Sequence, residues 1–306
     1  MKKVFVLLII GFILSIASVS AALTNATQGP NEVGVGVYII NLGKFDIATG
    51  TFTVDFYLDL KCSKNCSDVN FEFINGRANS LEKTIDEPNE KFYRIQANLN
   101  SPVDLKRFPF DSQSMQIIIE DKKNTIEEQI FVPLVNESAI DDSIAFTGWQ
   151  LDGYRAEVKE HEYPIYEETY SQYVFSIDIS RVRFNSMIKT FLPIFFIVLV
   201  MLSSFVLDPD KIVTRLGMVG SALVASVMFH ISIANQIPPV GYLTFADKFM
   251  VLTYFVVLLS FVFNVALLEL NEEGKKELVE KVHRMTEFSM LIIVPLMYLI
   301  LFLVLI

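Results

Sequence analysis

Cysteine, histidine and positive charge are all scarce in this chain. Its 306 residues include two cysteines and three histidines, and 25 Lys+Arg stand against 35 Asp+Glu. Two cysteines cannot make a multi-bridge framework. Cys62 and Cys66, in KCSKNC, can make one local disulfide, and without a nearby histidine they are an incomplete zinc set. His161, His230 and His283 belong to no Ser-His-Asp grouping and no HExxH motif, and no Gly-rich phosphate loop appears. An enzyme would have to work with carboxylates alone, and nothing singles out a catalytic pair. No cofactor or metal site is implied. A net charge of −10 also argues against nucleic acid as a partner. Finally, no helical period spans residues 23–183, and no long apolar run interrupts them.

The apolar fraction is nevertheless 52%, because it is concentrated elsewhere. Residues 1–22 read as a secretory signal: Lys2 and Lys3, an apolar run over 4–16, then the small residues ASVSAA. Four apolar segments follow residue 184, at about 187–207, 212–237, 247–269 and 285–306. Each is close to the ~20 residues that a spanning helix needs. No Asp, Glu, Lys or Arg occurs over 216–246. A signal peptide would export residues 23–183, and four crossings would return the end of the last helix to the same side. Lys211, Arg215, Lys275, Lys276, Lys281 and Arg284 would then lie inside, with only Lys248 in the outer loop, as the positive-inside tendency prefers.

Residues 23–183 hold 26 acidic and 15 basic residues, a balance of −11. Short runs bounded by Gly, Asn, Asp or Pro dominate this part: VGVGVYIINL, TFTVDFYLDL, FEFI, KFYRIQANL, SMQIIIE, EQIFVPLV, WQLDGYRAEV and QYVFSIDIS. Eight such runs in about 160 residues predict an antiparallel β-sandwich. Among them RFPFDSQ, residues 107–113, places Phe108 and Phe110 on either side of Pro109. Proline fixes its own φ and drives the preceding residue toward extended backbone, which gives a stiff aromatic tip. Such a tip is costly in water unless it rests on something apolar.

The second apolar segment is rich in Gly, Ser and Ala. At helical spacing one face reads Gly217, Ser221, Val224, Met228, Ile231, Asn235. Small residues permit close helix packing. The same face, repeated around a ring of copies, would also line a pore with polar ends and an apolar waist. The pattern leaves both readings open.

Taken together, these residues resemble the pentameric ligand-gated ion channels, the Cys-loop receptor superfamily, and most of all its prokaryotic members. The resemblance covers about residues 30–306. Its most specific element is DLKRFPFDSQSM. Supporting elements are ISRVRF before a helix containing Pro193, the helix TRLGMVGSALVASVMFHISIANQIPP, and YLTFADKFMV entering the third helix. The two cysteines that bracket the FPFD loop in eukaryotic members are replaced by Ser101 and Met115. The resemblance implies an extracellular or periplasmic β-sandwich followed by a four-helix bundle, assembled as a homopentamer in the plasma (inner) membrane. It implies a channel lined by the second helix. On selectivity the chain departs from the family, with Val213-Thr214 before Arg215 in place of the cation or anion signature, and the cation preference expected here rests on charge: Asp208 and Asp210 at the inner mouth and the balance of −11 over 23–183.

The resemblance also implies coupling residues. Phe108, Pro109 and Phe110 would rest on the loop over 237–245, near Pro238, Pro239 and Tyr242. Asp111 would pair with Arg181, and Asp46 would complete the charge cluster. Agonist sites in this family lie between subunits. The corresponding stretches here offer Glu137, Asp141, Tyr163 and Tyr166, suited to an amine, a divalent cation or protons. The alternative function is a membrane-anchored sensor or binding protein that does not conduct.

Overall fold

Val33, Val35, Val37 and Ile39 alternate along β1 (Asn31–Leu42), and all four side chains are fully buried. That alternation places β1 with one face on a core. The computed structural model describes residues 29–146 and 148–305. The expected signal segment over 1–22 lies outside the described residues.

Among the described residues, ten strands build two sheets. The first has the order β4-β5-β2-β1-β7, with β8 (Ala139–Ile140) also pairing with β1. Its members are β2 (Thr51–Cys62), β4 (Gly76–Asp86), β5 (Glu90–Asn100) and β7 (Gln129–Pro133). The pairs β4/β5, β5/β2 and β2/β1 are antiparallel, whereas β7 and β8 run parallel to β1. The second sheet has the order β3-β6-β10-β9 and is antiparallel throughout. It comprises β3 (Phe71–Phe73), β6 (Ser112–Asp121), β9 (Trp149–Tyr163) and β10 (Glu168–Arg181).

One core fills the space between the sheets. It includes Phe56, Leu58, Ile95, Ile117, Phe175 and Ile177, all with no exposure. Aromatic rings meet across it edge to face, as in Phe56–Phe73, with centroids 5.9 Å apart. Cys62 and Cys66 form a disulfide at the end of β2.

Four helices follow: α1 (Arg183–Val206), α2 (Ile212–Ala234), α3 (Phe245–Glu272) and α4 (Lys276–Leu305). All four are long and apolar enough to cross a membrane. A single residue, Val182, separates β10 from α1. Thr244 starts α3 with a reciprocal cap: its side chain accepts from the Asp247 amide, and the Asp247 carboxylate accepts from the Thr244 amide.

Two features depart from the sequence reading. The strand β4 has almost every side chain exposed, so it carries no alternation to detect. Its ladder to β5 holds it in place. The connection left between the third and fourth apolar segments, about 270–284, shrinks to residues 273–275, and α4 starts about nine residues earlier than its apolar stretch. Gly274, at φ +72°, supplies the left-handed residue that ends α3, with its amide donating to the Asn271 carbonyl at 3.0 Å. A hydropathy window marks only the apolar part of a helix. The charged first turns of α4 continue the helix beyond its apolar part.

Candidate functional site

The loop over residues 105–111 is the joint between sandwich and bundle. A helix leaves its first amides without intrahelical acceptors. Two loop carbonyls supply them: Phe245 N donates to Lys106 O at 2.9 Å, and Ala246 N donates to Phe108 O at 3.0 Å. In return, the Tyr242 hydroxyl accepts from Leu105 N at 2.9 Å. The loop is therefore part of the start of α3 rather than a surface resting on it.

The aromatic tip divides its work. Phe110 lies among the helix ends, 5.8 Å from Phe191 of α1, 5.9 Å from Phe245 of α3 and 6.1 Å from Phe302 of α4 between ring centroids. Phe108 and Pro109 are buried. The Arg181 guanidinium stands 5.0 Å from the Phe108 ring centroid and 4.6 Å from that of Trp149. Pro238 lines a cavity of about 330 Å³ with Ile47, Gly50 and Val103. The FPF tip was expected on the loop over 237–245 near Pro238, Pro239 and Tyr242; Tyr242 and Phe245 make the hydrogen bonds to the 105–111 loop, and Pro238 and Pro239 line the small cavity beside it. The loop meets α3 through backbone hydrogen bonds and Tyr242, and Phe110 reaches the helices themselves.

Asp111 is 1% exposed. Its Oδ1 accepts from Arg181 Nε at 2.6 Å, its Oδ2 accepts from Gln113 Nε2 at 2.8 Å, and its carbonyl accepts from Arg181 N at 3.2 Å. Asp46 does not join this pair. Its carboxylate accepts from Ala48 N at 3.0 Å and from the Thr49 hydroxyl at 2.8 Å, closing its own turn between β1 and β2. Those local bonds hold its carboxyl below the usual carboxylate range, the Ala48 amide first. The three-residue cluster is thus a two-residue pair. A short acid in a turn has amides two residues away that compete for its oxygens.

On α2, Gly217, Ser221, Val224, Met228, Ile231 and Asn235 are all exposed in the single chain. Val224 and Met228 are each 64% exposed, although both are large and apolar. The opposite face packs inward through Arg215, Val219, Ala222, Ser226 and Ile233. Ser221 donates to the Gly217 carbonyl at 2.8 Å. Arg215, at the start of this helix, points away from the exposed stripe. It is fully buried, 5.4 Å from the Phe205 ring centroid and 3.3 Å from His283 Nδ1. His230, farther along α2, meets the Tyr254 hydroxyl at 2.8 Å and Asp247 Oδ1 at 3.2 Å. Neither histidine contact was legible, because its partners lie 17 or more residues away with no motif linking them.

The four candidate ligand residues separate onto different sheets. Glu137 and Asp141 lie beside the first sheet. Glu137 Oε2 meets Lys61 Nζ at 2.5 Å, and the same ammonium meets Asp59 Oδ2 at 3.2 Å. Asp141 accepts from the Tyr38 hydroxyl at 3.1 Å. Burial first, and then the Glu137 carboxylate, push Asp59 up to about 6, with Lys61 opposing. The same lysine holds Glu137 below its ordinary value. Tyr163 lies on the second sheet and donates to buried Glu120 at 3.0 Å, where His161 Nδ1 and Gln172 Nε2 also converge at 2.8 and 3.0 Å. Tyr166 sits in the β9–β10 turn, 71% exposed. Among the described residues no group of three or more His, Cys, Asp or Glu could hold a metal ion.

No protein-family model matches the chain. Over 170 residues its sequence is 26% identical to a proton-gated ion channel from Gloeobacter violaceus. The matched stretch is 55% of this chain and 47% of that protein, so the chain spans about half the length of the relative that it matches.

Proposed function

We propose that this chain, a homologue of a proton-gated ion channel with the architecture of the pentameric ligand-gated channels, is itself a ligand-gated channel assembled from five copies. The observation that carries the reading is the second helix. It packs one face into its own bundle and leaves a continuous stripe of small, polar and apolar residues without a partner. In a ring of copies that stripe faces a common axis. Ser221 and Asn235 then flank an apolar waist at Val224, Met228 and Ile231, and narrow apolar rings dewet.

The helices sit in the plasma membrane, with the sandwich and the end of α4 outside the cytoplasm. A stimulus at the sandwich changes the equilibrium between closed and open states only by its differential affinity for them. The change reaches the helices through the 105–111 loop, because that loop is hydrogen-bonded to α3, packed by Phe110 on α1, α3 and α4, and tied by Asp111 to the strand that continues into α1. Acidification is the stimulus that the similarity favours. Permeant cations are favoured by the acidic exterior and by Arg215, which is turned off the stripe.

Substituted-cysteine accessibility tests the pore. Thiol reagents applied to open channels should block current in Val224→Cys and Ile231→Cys and leave Val219→Cys untouched. Equal insensitivity at all three positions would remove α2 from the conduction path.

A further inference from the structure

Asp59 lies on the face of β2 that points away from the sandwich core, yet the residue is only 9% exposed. Its Oδ2 meets Lys61, while its Oδ1 is shielded from solvent and has no hydrogen-bond partner. Lys61 is shared with Glu137, which arrives from the short 3-10 turn Val135–Glu137 after β7. Two carboxylates therefore face one ammonium. A buried acceptor without a donor is costly, and so is excess like charge.

The surroundings offer no second cation. On β1 the residue opposite Asp59 is Gly36, and the one opposite Lys61 is Gly34. A Cβ at Gly36 would crowd Glu137 at 3.3 Å and touch Asp59 at an ordinary 3.5 Å, so the glycine leaves the two acids room side by side. Tyr38 on β1 is already bonded to Asp141. On β5, Phe92 lies opposite Asp59 and Glu90 opposite Lys61, while the Arg94 guanidinium is held by Asp55 at 3.0 Å. Lys91 lies on the opposite face of β5 by strand alternation.

We propose that Asp59 and Glu137 form a proton-binding pair, and that protonation fastens β2 to the turn after β7. One proton makes the Asp59–Lys61–Glu137 group neutral and turns an acceptor without a partner into a potential donor. The consequence for gating rests on the channel reading above, but the proton site itself does not. Because Asp59 lies above the ordinary carboxylate value, this carboxyl holds its proton in the folded state, and not in the unfolded chain, between about pH 4 and 6. The arrangement is therefore favoured in acid and weakens as pH rises through that window. If acid opens the channel, the fastened state belongs to the open form.

Infrared difference spectra of the purified full-length protein during a pH titration test the site. A protonated-carboxyl band should titrate near pH 6 and be lost in Asp59→Asn. Its midpoint should fall by about one pH unit in Glu137→Gln and rise by about one in Lys61→Met, as removal of a like or an unlike neighbour requires. Those two half-exposed positions carry the test if Asp59→Asn does not fold. A band that survives Asp59→Asn, or a midpoint moved by neither neighbour, overturns the proposal. So does a band that vanishes only in His161→Gln, which would move the proton to the Glu120 cluster. If the band behaves as described but the wild-type protein passes no current on acidification, the site stands and the channel reading fails. If acid evokes current with one midpoint in all these variants, the gating consequence is overturned.

Discussion

Arg181 and Asp111 are joined by a side-chain bond of 2.6 Å and a backbone bond of 3.2 Å, with Asp111 almost fully buried. Removing one partner of a buried pair leaves an uncompensated charge and typically costs about 3–5 kcal/mol. Arg181→Ala and Asp111→Ala should therefore each be strongly destabilising, and the double variant should lose less than the sum. A double-mutant cycle on thermal unfolding should give a coupling beyond about 0.5 kcal/mol, and additivity would remove the pair from the coupling path. This pair was expected only through the family resemblance that RFPFDSQ and the arginine before Pro193 carry. Asp46 was not, because a residue's type does not say which way its carboxylate turns. Its nearest donors are its own neighbours Ala48 and Thr49, and they win.

The helices and strands show the same limit in another form. Elements that bury a face announce themselves, as Val33 to Ile39 do on β1. The ladder-held β4 and the charged opening of α4 bury little, so periodicity and hydropathy pass over them. The exposed stripe of α2 was readable by spacing, but its meaning was not, since small residues also suit tight packing. The structure leaves that stripe off the bundle. Val224→Ser and Ile231→Ser should then hydrate the waist and raise resting current. Normal expression with unchanged resting and evoked currents in both variants would exclude this band as the gate. At the joint with the sandwich, Phe110→Ala opens a void among Phe191, Phe245 and Phe302. Because Phe110 is only partly buried, its cost should be at or below the ~3–5 kcal/mol of a fully buried phenylalanine. Phe110→Leu should recover much of it in thermal unfolding, and equal losses in the two variants would show that the ring packing contributes nothing specific.

The assembled molecule brings its charges together. Residues 23–183 carry −11 in each copy, and Asp208 and Asp210 are exposed at the turn into α2, with Lys211 beside them. Repetition around a ring concentrates cations near the entrance, within a screening length of about 10 Å at 0.1 M salt. Arg215 is buried against Phe205 and His283, which keeps the main opposing charge off the exposed stripe of α2. Reversal potentials in asymmetric NaCl should follow sodium, and Asp208→Asn with Asp210→Asn should weaken that preference most at low salt. A reversal potential that follows chloride would show that the basic residues at the inner mouth dominate.

Conduction itself is most directly tested by recording from purified protein in a planar bilayer as the solution facing the sandwich is acidified. Discrete unitary current steps, rising in frequency with acid, are expected from a ring of α2 helices gated through the 105–111 loop. Bilayers that contain the assembled protein and stay electrically silent from neutral to acid, in wild type and in Val224→Ser alike, would contradict a pore and leave a membrane-anchored sensor that does not conduct.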